Sequence, residues 1–118
     1  MAKVLISEPH PDSRALLELV VERAGHEPVG QGELTNGDQP DLLILEPAAP
    51  SGVATALELR RRLGDLPIIC ASICPPGPET SLLQPVAYLL KPFRLVELED
   101  AMELALATVS VHGRLQPW

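Results

Sequence analysis

Aromatic residues are almost absent from this chain of 118 residues, which contains one Trp, one Tyr and one Phe. A core must therefore be built from Leu, Val, Ile and Ala. Hydrophobic residues still make up 46% of the chain and charged residues 21%, a balance typical of a globular protein and not of a disordered one. The length fits one domain with one core.

Positive charge is also scarce. The net charge of −7 argues against a general nucleic-acid surface. The only basic cluster, Arg60-Arg61-Arg62, is interpreted as a solvated helix face. No apolar run is long enough to cross a bilayer, and no signal-peptide pattern opens the chain. We therefore expect a cytoplasmic protein with no nucleic-acid or membrane partner.

The chain has only two cysteines, Cys70 and Cys74, in a C-x3-C spacing that differs from the redox C-x-x-C pattern. Cys70 lies in an apolar run and is expected to be a small core residue. Cys74 is expected to be a loop thiol. The sequence therefore gives no support to a functional pair of thiols.

Five short apolar runs alternate with segments of helical periodicity, which predicts strands that alternate with helices. Nearly all-apolar strands in this order indicate a parallel sheet covered by helices on both faces. For the middle helix, the spacing of Ala54, Leu57 and Leu63 predicts the inner face. The predicted strands are 4–7, 27–30, 41–45, 66–71 and 86–90, and the predicted helices are 11–24, 52–63 and 95–108.

Two connections are poor helix formers. Residues 31–40 are polar and contain two Gly and a Pro, which predicts a loop or at most one helical turn. Residues 74–85 are rich in Pro, so a full helix is not expected there either.

Four polar side chains each follow a predicted strand directly. Because right-handed crossovers bring all carboxyl ends of parallel strands to one edge, these side chains should converge there. They are Glu8, Glu46, Ser72 and Lys91.

Five blocks of the sequence carry a resemblance to a known family. They begin at Lys3, Pro40, Pro50, Pro67 and Tyr88, and they read KVLISEPHPDSR, PDLLILE, PSG, PIICAS and YLLKPF. In order and spacing, the chain resembles the response-regulator receiver domain of two-component signalling. The resemblance implies a flavodoxin-like, doubly wound, five-stranded parallel sheet of order 2-1-3-4-5, here with helices 2 and 4 shortened or lost. Residues 1–107 would form the receiver-like domain and residues 108–118 a C-terminal tail.

The resemblance also implies roles for the strand-end residues. In the family, an acidic pair after strand 1 holds Mg²⁺ and an Asp after strand 3 accepts a phosphoryl group from a histidine kinase. Ser72 matches the hydroxyl and Lys91 the lysine that bind the phosphoryl oxygens, with a cis peptide bond implied between Lys91 and Pro92. Tyr88 matches the aromatic residue that reports the switch.

The acids depart from the family's pattern. Glu46 stands where the phosphoacceptor Asp is expected, and its longer side chain shifts the carboxylate by roughly 1–1.5 Å. The acidic pair is reduced to Glu8 followed by Pro9, which has no ligand atom for Mg²⁺. A shift of about 1 Å costs on the order of 100-fold in rate when catalysis depends on positioning. We therefore predict a degenerate phosphoacceptor pocket that is not phosphorylated and needs no cofactor.

A fixed conformation follows as a hypothesis. The longer Glu46 carboxylate is expected to accept hydrogen bonds from Lys91 and Ser72, with Tyr88 turned inward.

The expected function is a non-enzymatic, single-domain receiver-like protein of a phosphorelay that acts by binding another protein. A homodimer also stays open. One alternative is a working, Mg²⁺-dependent phosphoacceptor receiver. Others are an unrelated flavodoxin-like protein, or a metal-binding protein in which Glu8, His10 and Glu46 hold Zn²⁺ or Mn²⁺.

Overall fold

The computed structural model of the chain describes residues 2–33 and 39–115, with side chains described up to residue 107 except that of Gln31. Strands β1 to β5 span Lys3–Ser7, Glu27–Val29, Leu42–Leu45, Ile68–Ser72 and Ala87–Leu90. Helices α1 to α4 span Pro11–Arg23, Gly52–Leu63, Pro78–Ser81 and Leu95–Leu115, and a 3₁₀ turn spans Gln31–Glu33.

The five strands form one parallel sheet in the order β2-β1-β3-β4-β5, which confirms the predicted fold class. At the carboxyl edge, Ser7 lies opposite Leu45 in the pair β1–β3, and Ser72 lies opposite Leu90 in the pair β4–β5. The residues that follow these pairs are therefore brought to the same edge of the sheet.

The central strands β3 and β4 are buried along their whole length, because helices cover both faces of the sheet. One core cluster lies on the side of α1 and α4, with Val21, Ile44 and Leu98 among its fully buried members. The other lies on the side of α2, with Leu43, Ile68 and Leu83 among its fully buried members. Aliphatic residues build almost all of both clusters, as the scarcity of aromatic residues predicts.

Two connections are predicted to lack full helices: the one between β4 and β5 and the one between β2 and β3. Between β4 and β5, α3 makes a single turn, with the Thr80 hydroxyl donating to the Gly77 carbonyl at 2.7 Å and accepting the Gly77 N–H at 3.1 Å. The family's fourth helix corresponds to α3 in this chain, and the prediction that it is shortened is confirmed. Between β2 and β3, the described residues contain the 3₁₀ turn, and residues 34–38 of that connection lie outside the described ones.

Helix α2 has the predicted span but a different inner face. Ala56 and Leu59 are buried, whereas Ala54 and Leu57 are exposed, so the prediction is wrong for those two residues. Leu63 is partly buried and packs against the core cluster on the α2 side, as predicted. Close packing at the start of α2 fixes the rotation of the helix about its own axis. A Cβ on Gly52 would lie 2.8 Å from the Glu46 carbonyl oxygen, so the first turn is pressed against the end of β3.

The last helix, α4, continues to Leu115, seven residues beyond the predicted end at Thr108. The predicted tail at 108–118 is thus helical over 108–115, and its last three residues lie outside the described ones. No proline interrupts the chain after Pro92 until Pro117, so no proline forces the helix to end earlier. None of the helices in the described part of the chain has the length and apolar character that a membrane crossing requires.

Candidate functional site: an acid–lysine pocket at the carboxyl edge

Glu8, Glu46 and Lys91 meet at the carboxyl edge, although they are far apart in sequence. Glu8 follows β1 and Glu46 follows β3, and the Glu46 N–H donates to the Ser7 carbonyl at 3.0 Å. Lys91 follows β5, and its long side chain crosses the end of β4 to reach both acids. We call these three residues the acid–lysine pocket.

The Lys91 ammonium contacts both carboxylates of this pocket. It forms an ion pair with Glu8 Oε1 and lies 3.4 Å from Glu46 Oε1. Glu8 is 5% exposed and Glu46 is 9% exposed, so both carboxylates are largely withdrawn from water. Charges in such surroundings require a partner, and here one ammonium serves both.

The outer oxygens of the two carboxylates are held by backbone amides of their own loops. The His10 N–H donates to Glu8 Oε2 at 3.2 Å, and the Ala48 N–H donates to Glu46 Oε2 at 3.1 Å. Each of the four carboxylate oxygens therefore has a protein donor. Among the described residues, no buried side-chain nitrogen or oxygen lacks a hydrogen-bond partner.

The residues of the pocket do not fit the Mg²⁺ that the resemblance implies. Pro9 supplies no ligand, and His10 contributes its backbone N–H to Glu8. The inner oxygens of Glu8 and Glu46 face an ammonium. Across the described residues, no group of three or more His, Cys, Asp or Glu side chains is arranged to hold a metal ion, so Glu8, His10 and Glu46 are not brought together as a ligand set.

Ser72 lies at the end of β4 and is completely buried. Its hydroxyl accepts the Cys74 N–H at 3.1 Å, which closes the first turn of the β4–α3 loop. The expected hydrogen bond from Ser72 to Glu46 is not among the contacts of the described residues. The hydroxyl is turned to its own loop because a local bond two residues along the chain competes with the longer reach.

Tyr88 is partly buried and packs against the core cluster on the α2 side of the sheet. Its hydroxyl donates to the Cys74 carbonyl at 2.6 Å. Burial raises the pKa of Tyr88, and a hydrogen bond with the Ser72 side chain opposes that rise. The ring is therefore tied to the β4–α3 loop at the same residue to which Ser72 is bound.

Two arginines bind backbone carbonyls in contacts that were not anticipated from the sequence. Arg14 Nε donates to the Glu8 carbonyl at 3.0 Å and braces the β1–α1 loop. Arg60 donates from Nε to the Leu66 carbonyl at 3.0 Å and from Nη1 to the Leu83 carbonyl, and burial lowers its pKa. The interpretation of Arg60 as part of a solvated face is thus wrong. No motif marks such backbone-directed contacts in the sequence.

Two cavities flank the pocket. A cleft of about 510 Å³ opens between the β1–α1 loop, the 3₁₀ turn and the start of α2, and Glu8 and Arg14 line it. A smaller cavity of about 250 Å³ lies between the loops that follow β3 and β4, with Tyr88 and the exposed Cys74 in its wall. Cys70, in contrast, is buried, and burial raises its pKa to about 11, as expected for a core thiol.

Comparison with solved structures shows that the fold is similar to that of receiver domains. The chain superimposes on the signal receiver domain of a modulated diguanylate cyclase from Desulfovibrio desulfuricans G20 with a TM-score of 0.79 and 25% identity, covering 95% of this chain and 98% of that one. The fold is that of a receiver domain.

Two further receiver proteins show the same fold at lower identity. Response regulator TrrA from Thermotoga maritima, solved with Mg²⁺ and beryllofluoride, is 23% identical with a TM-score of 0.77, covering 90% of this chain and all of TrrA, 100%. Chemotaxis protein CheY4 from Vibrio cholerae is 20% identical with a TM-score of 0.77, covering 90% of this chain and 99% of that one. No protein-family model and no curated protein sequence matches the chain.

The cis Lys91–Pro92 peptide bond, which the resemblance implied, is present.

Proposed function

We propose that this chain is a receiver-like signalling protein that is not phosphorylated at Glu46 and that acts by binding a protein partner. The observation that carries the proposal is the Lys91 ammonium between Glu8 and Glu46. It pairs with the acceptor-position carboxylate itself, in a pocket whose four carboxylate oxygens all have protein donors. Phosphoryl transfer depends on a positioned acceptor and a metal, and neither is supported by these contacts.

The fixed arrangement of the β4–α3 loop supports the same proposal. Ser72 and Tyr88 are both bound to the backbone of Cys74, at 3.1 and 2.6 Å. A switch needs two states that a ligand can distinguish. We propose one resident state, with Tyr88 held inward, in which the partner-binding surface is permanently formed.

Exposed apolar side chains near this loop suggest where a protein partner binds. Ile73 is 73% exposed directly after β4, and Leu90 is 49% exposed at the end of β5. The register of Ser72 opposite Leu90 brings them to neighbouring strand ends. Such residues favour a protein interface. The partner is a signalling protein or a second copy of this chain.

Incubation of the purified protein with Mg²⁺ and acetyl phosphate, followed by intact-mass spectrometry, tests the proposal. We expect no phosphoryl adduct on the wild-type chain. The matched variant Pro9→Asp/Glu46→Asp restores both acids of the family's pattern and is expected to gain an adduct. A stoichiometric adduct on wild-type Glu46 would support the alternative of a working receiver and overturn this proposal.

A further inference from the structure

The acid–lysine pocket sets two carboxylates against one ammonium. Both acids are at least nine-tenths buried, and the side chain of Lys91 is 19% exposed. A buried cluster with surplus negative charge attracts a cation, and the field is strong because water is largely excluded. In this chain the cation is the ammonium group of Lys91.

The ammonium occupies the side of the pocket where the two carboxylates converge. Glu8 Oε1 and Glu46 Oε1 both face Lys91 Nζ, and Oε2 of each acid is held by a backbone N–H. The two inner oxygens are thus the ones that a metal ion would also take. Mg²⁺ is commonly bound in proteins by one or two carboxylates together with water.

We propose that Lys91 is the built-in cation of this pocket and excludes divalent cations from it, so that removing the ammonium converts Glu8 and Glu46 into a divalent-cation site. The inference rests on the proposed function, since it explains why the pocket does without Mg²⁺. It goes further in making a gain of binding the consequence of losing one side chain. A lysine that only positioned the acids would not produce that gain.

Titration of the full chain with Mn²⁺ tests this inference. Electron paramagnetic resonance measures binding as a loss of the free-ion signal. We expect wild type to show no saturable binding at millimolar Mn²⁺. Lys91→Met, which keeps the length of the side chain without its charge, is expected to bind Mn²⁺ at least about tenfold more tightly. Thermal unfolding supplies a second measurement. Mg²⁺ at about ten times its Kd should raise the Tm of Lys91→Met by about 6 °C relative to EDTA and leave that of wild type unchanged.

Three controls separate a site from a general effect of charge. Lys91→Arg keeps the cation and should show no saturable Mn²⁺ binding. Arg62→Met removes one positive charge from an exposed position on α2 and should also show no saturable Mn²⁺ binding. Lys91→Met/Glu8→Gln leaves one carboxylate and should lose the gained affinity. If Lys91→Met does not fold, Lys91→Gln is measured in its place, because its amide can still donate to the acids.

The outcomes distinguish this inference from the proposed function. Saturable Mn²⁺ binding by wild type, or no gain in the uncharged variants Lys91→Met and Lys91→Gln, would overturn the exclusion of cations by Lys91. Either result leaves open whether wild-type Glu46 accepts a phosphoryl group, which the acetyl phosphate experiment decides separately. A gain that persists in Lys91→Met/Glu8→Gln would also contradict the inference, since the cation would then bind elsewhere.

Discussion

The acid–lysine pocket and the neighbouring Ser72–Tyr88 pair lie at the same edge of the sheet, yet different contacts hold them. Lys91 joins the ends of β1, β3 and β5 through charge, across sequence separations of 83 and 45 residues. Ser72 and Tyr88 instead close one loop through the backbone of Cys74. Ion pairs therefore hold the acid–lysine pocket together, whereas local hydrogen bonds to the backbone hold the β4–α3 loop beside it.

This difference sets the expected order of energetic effects. Removing one partner of a buried ion pair leaves an uncompensated charge, which costs more than losing one neutral hydrogen bond. Substitutions in the pocket should thus disturb the whole edge, whereas those in the pair should disturb only the β4–α3 loop.

The largest effect is expected for Lys91→Met in EDTA. Two buried carboxylates would lose their shared cation, so the free energy of unfolding should fall by about 3 kcal/mol or more. Urea denaturation measures the change, with Lys91→Arg as the matched control that retains charge. A loss smaller than that of an exposed ion pair, about 1 kcal/mol or less, would show that charge does not hold the pocket together.

Arg60→Met should have the next largest effect. The guanidinium binds two backbone carbonyls, at Leu66 and Leu83, and so joins α2 to the segment that replaces a full helix. We expect a loss of about 1.5–3 kcal/mol, typical of hydrogen bonds that involve a charged group. The neighbouring Arg62→Met is the control and should be within about 0.5 kcal/mol of wild type. Equal effects of the two variants would mean that Arg60 is an ordinary surface residue.

Glu8→Gln and Glu46→Gln should differ from each other. Glu8 makes the closer contact with Lys91, so its neutralisation should destabilise the protein by about 2 kcal/mol. Neutralising Glu46 leaves the Glu8–Lys91 pair and removes surplus negative charge, so the change should stay within about 1 kcal/mol. Chemical denaturation of the two variants at one pH checks the order, and the reverse order would assign the main ion pair to Glu46.

Ser72→Ala and Tyr88→Phe should have smaller, coupled effects. Each removes one hydrogen bond to Cys74, worth about 1 kcal/mol. Because the two bonds close the same loop, a double-mutant cycle should give a coupling energy of at least about 0.5 kcal/mol. Strict additivity would indicate that the loop is not held as a unit.

The smallest effect concerns the two cysteines. Iodoacetamide at neutral pH should modify the exposed Cys74 and spare Cys70, whose pKa burial raises to about 11. A raised pKa favours the neutral thiol in the folded state. Its contribution to stability is present below the ordinary thiol pKa of 9.0 and is lost as the pH rises towards about 11. Equal modification of both thiols in the folded protein would contradict the buried position of Cys70.

Much of the fold could be predicted because the apolar runs specify buried parallel strands and the crossover rule then brings their ends together. The crossover rule predicts Glu8, Glu46 and Lys91 at one edge, and Lys91 contacts both acids there. The rotation of α2 was missed because it depends on the close approach of Gly52 to the Glu46 carbonyl. That contact has no signature in the hydrophobic pattern.

The partners of side chains that bind backbone groups were also missed. Ser72 was expected to bind Glu46, but it binds the N–H of Cys74. Arg60 was interpreted as solvated, but it binds two carbonyls. A carbonyl or N–H belongs to every residue type, so sequence alone cannot show which one a side chain reaches. The end of α4 was misplaced because the apolar periodicity fades near Thr108, although no proline follows Pro92 until Pro117.

The central claim is that Lys91 closes the acid–lysine pocket. Its most direct test is a titration of the wild-type chain with Mg²⁺ and beryllofluoride, monitored by NMR of the backbone amides of Ala48, Cys74 and Tyr88. A pocket closed by Lys91 predicts no saturable change at any of these amides. A saturable, Mg²⁺-dependent shift at all three would contradict it, because it would show that the pocket accepts a phosphoryl mimic and that its loops respond.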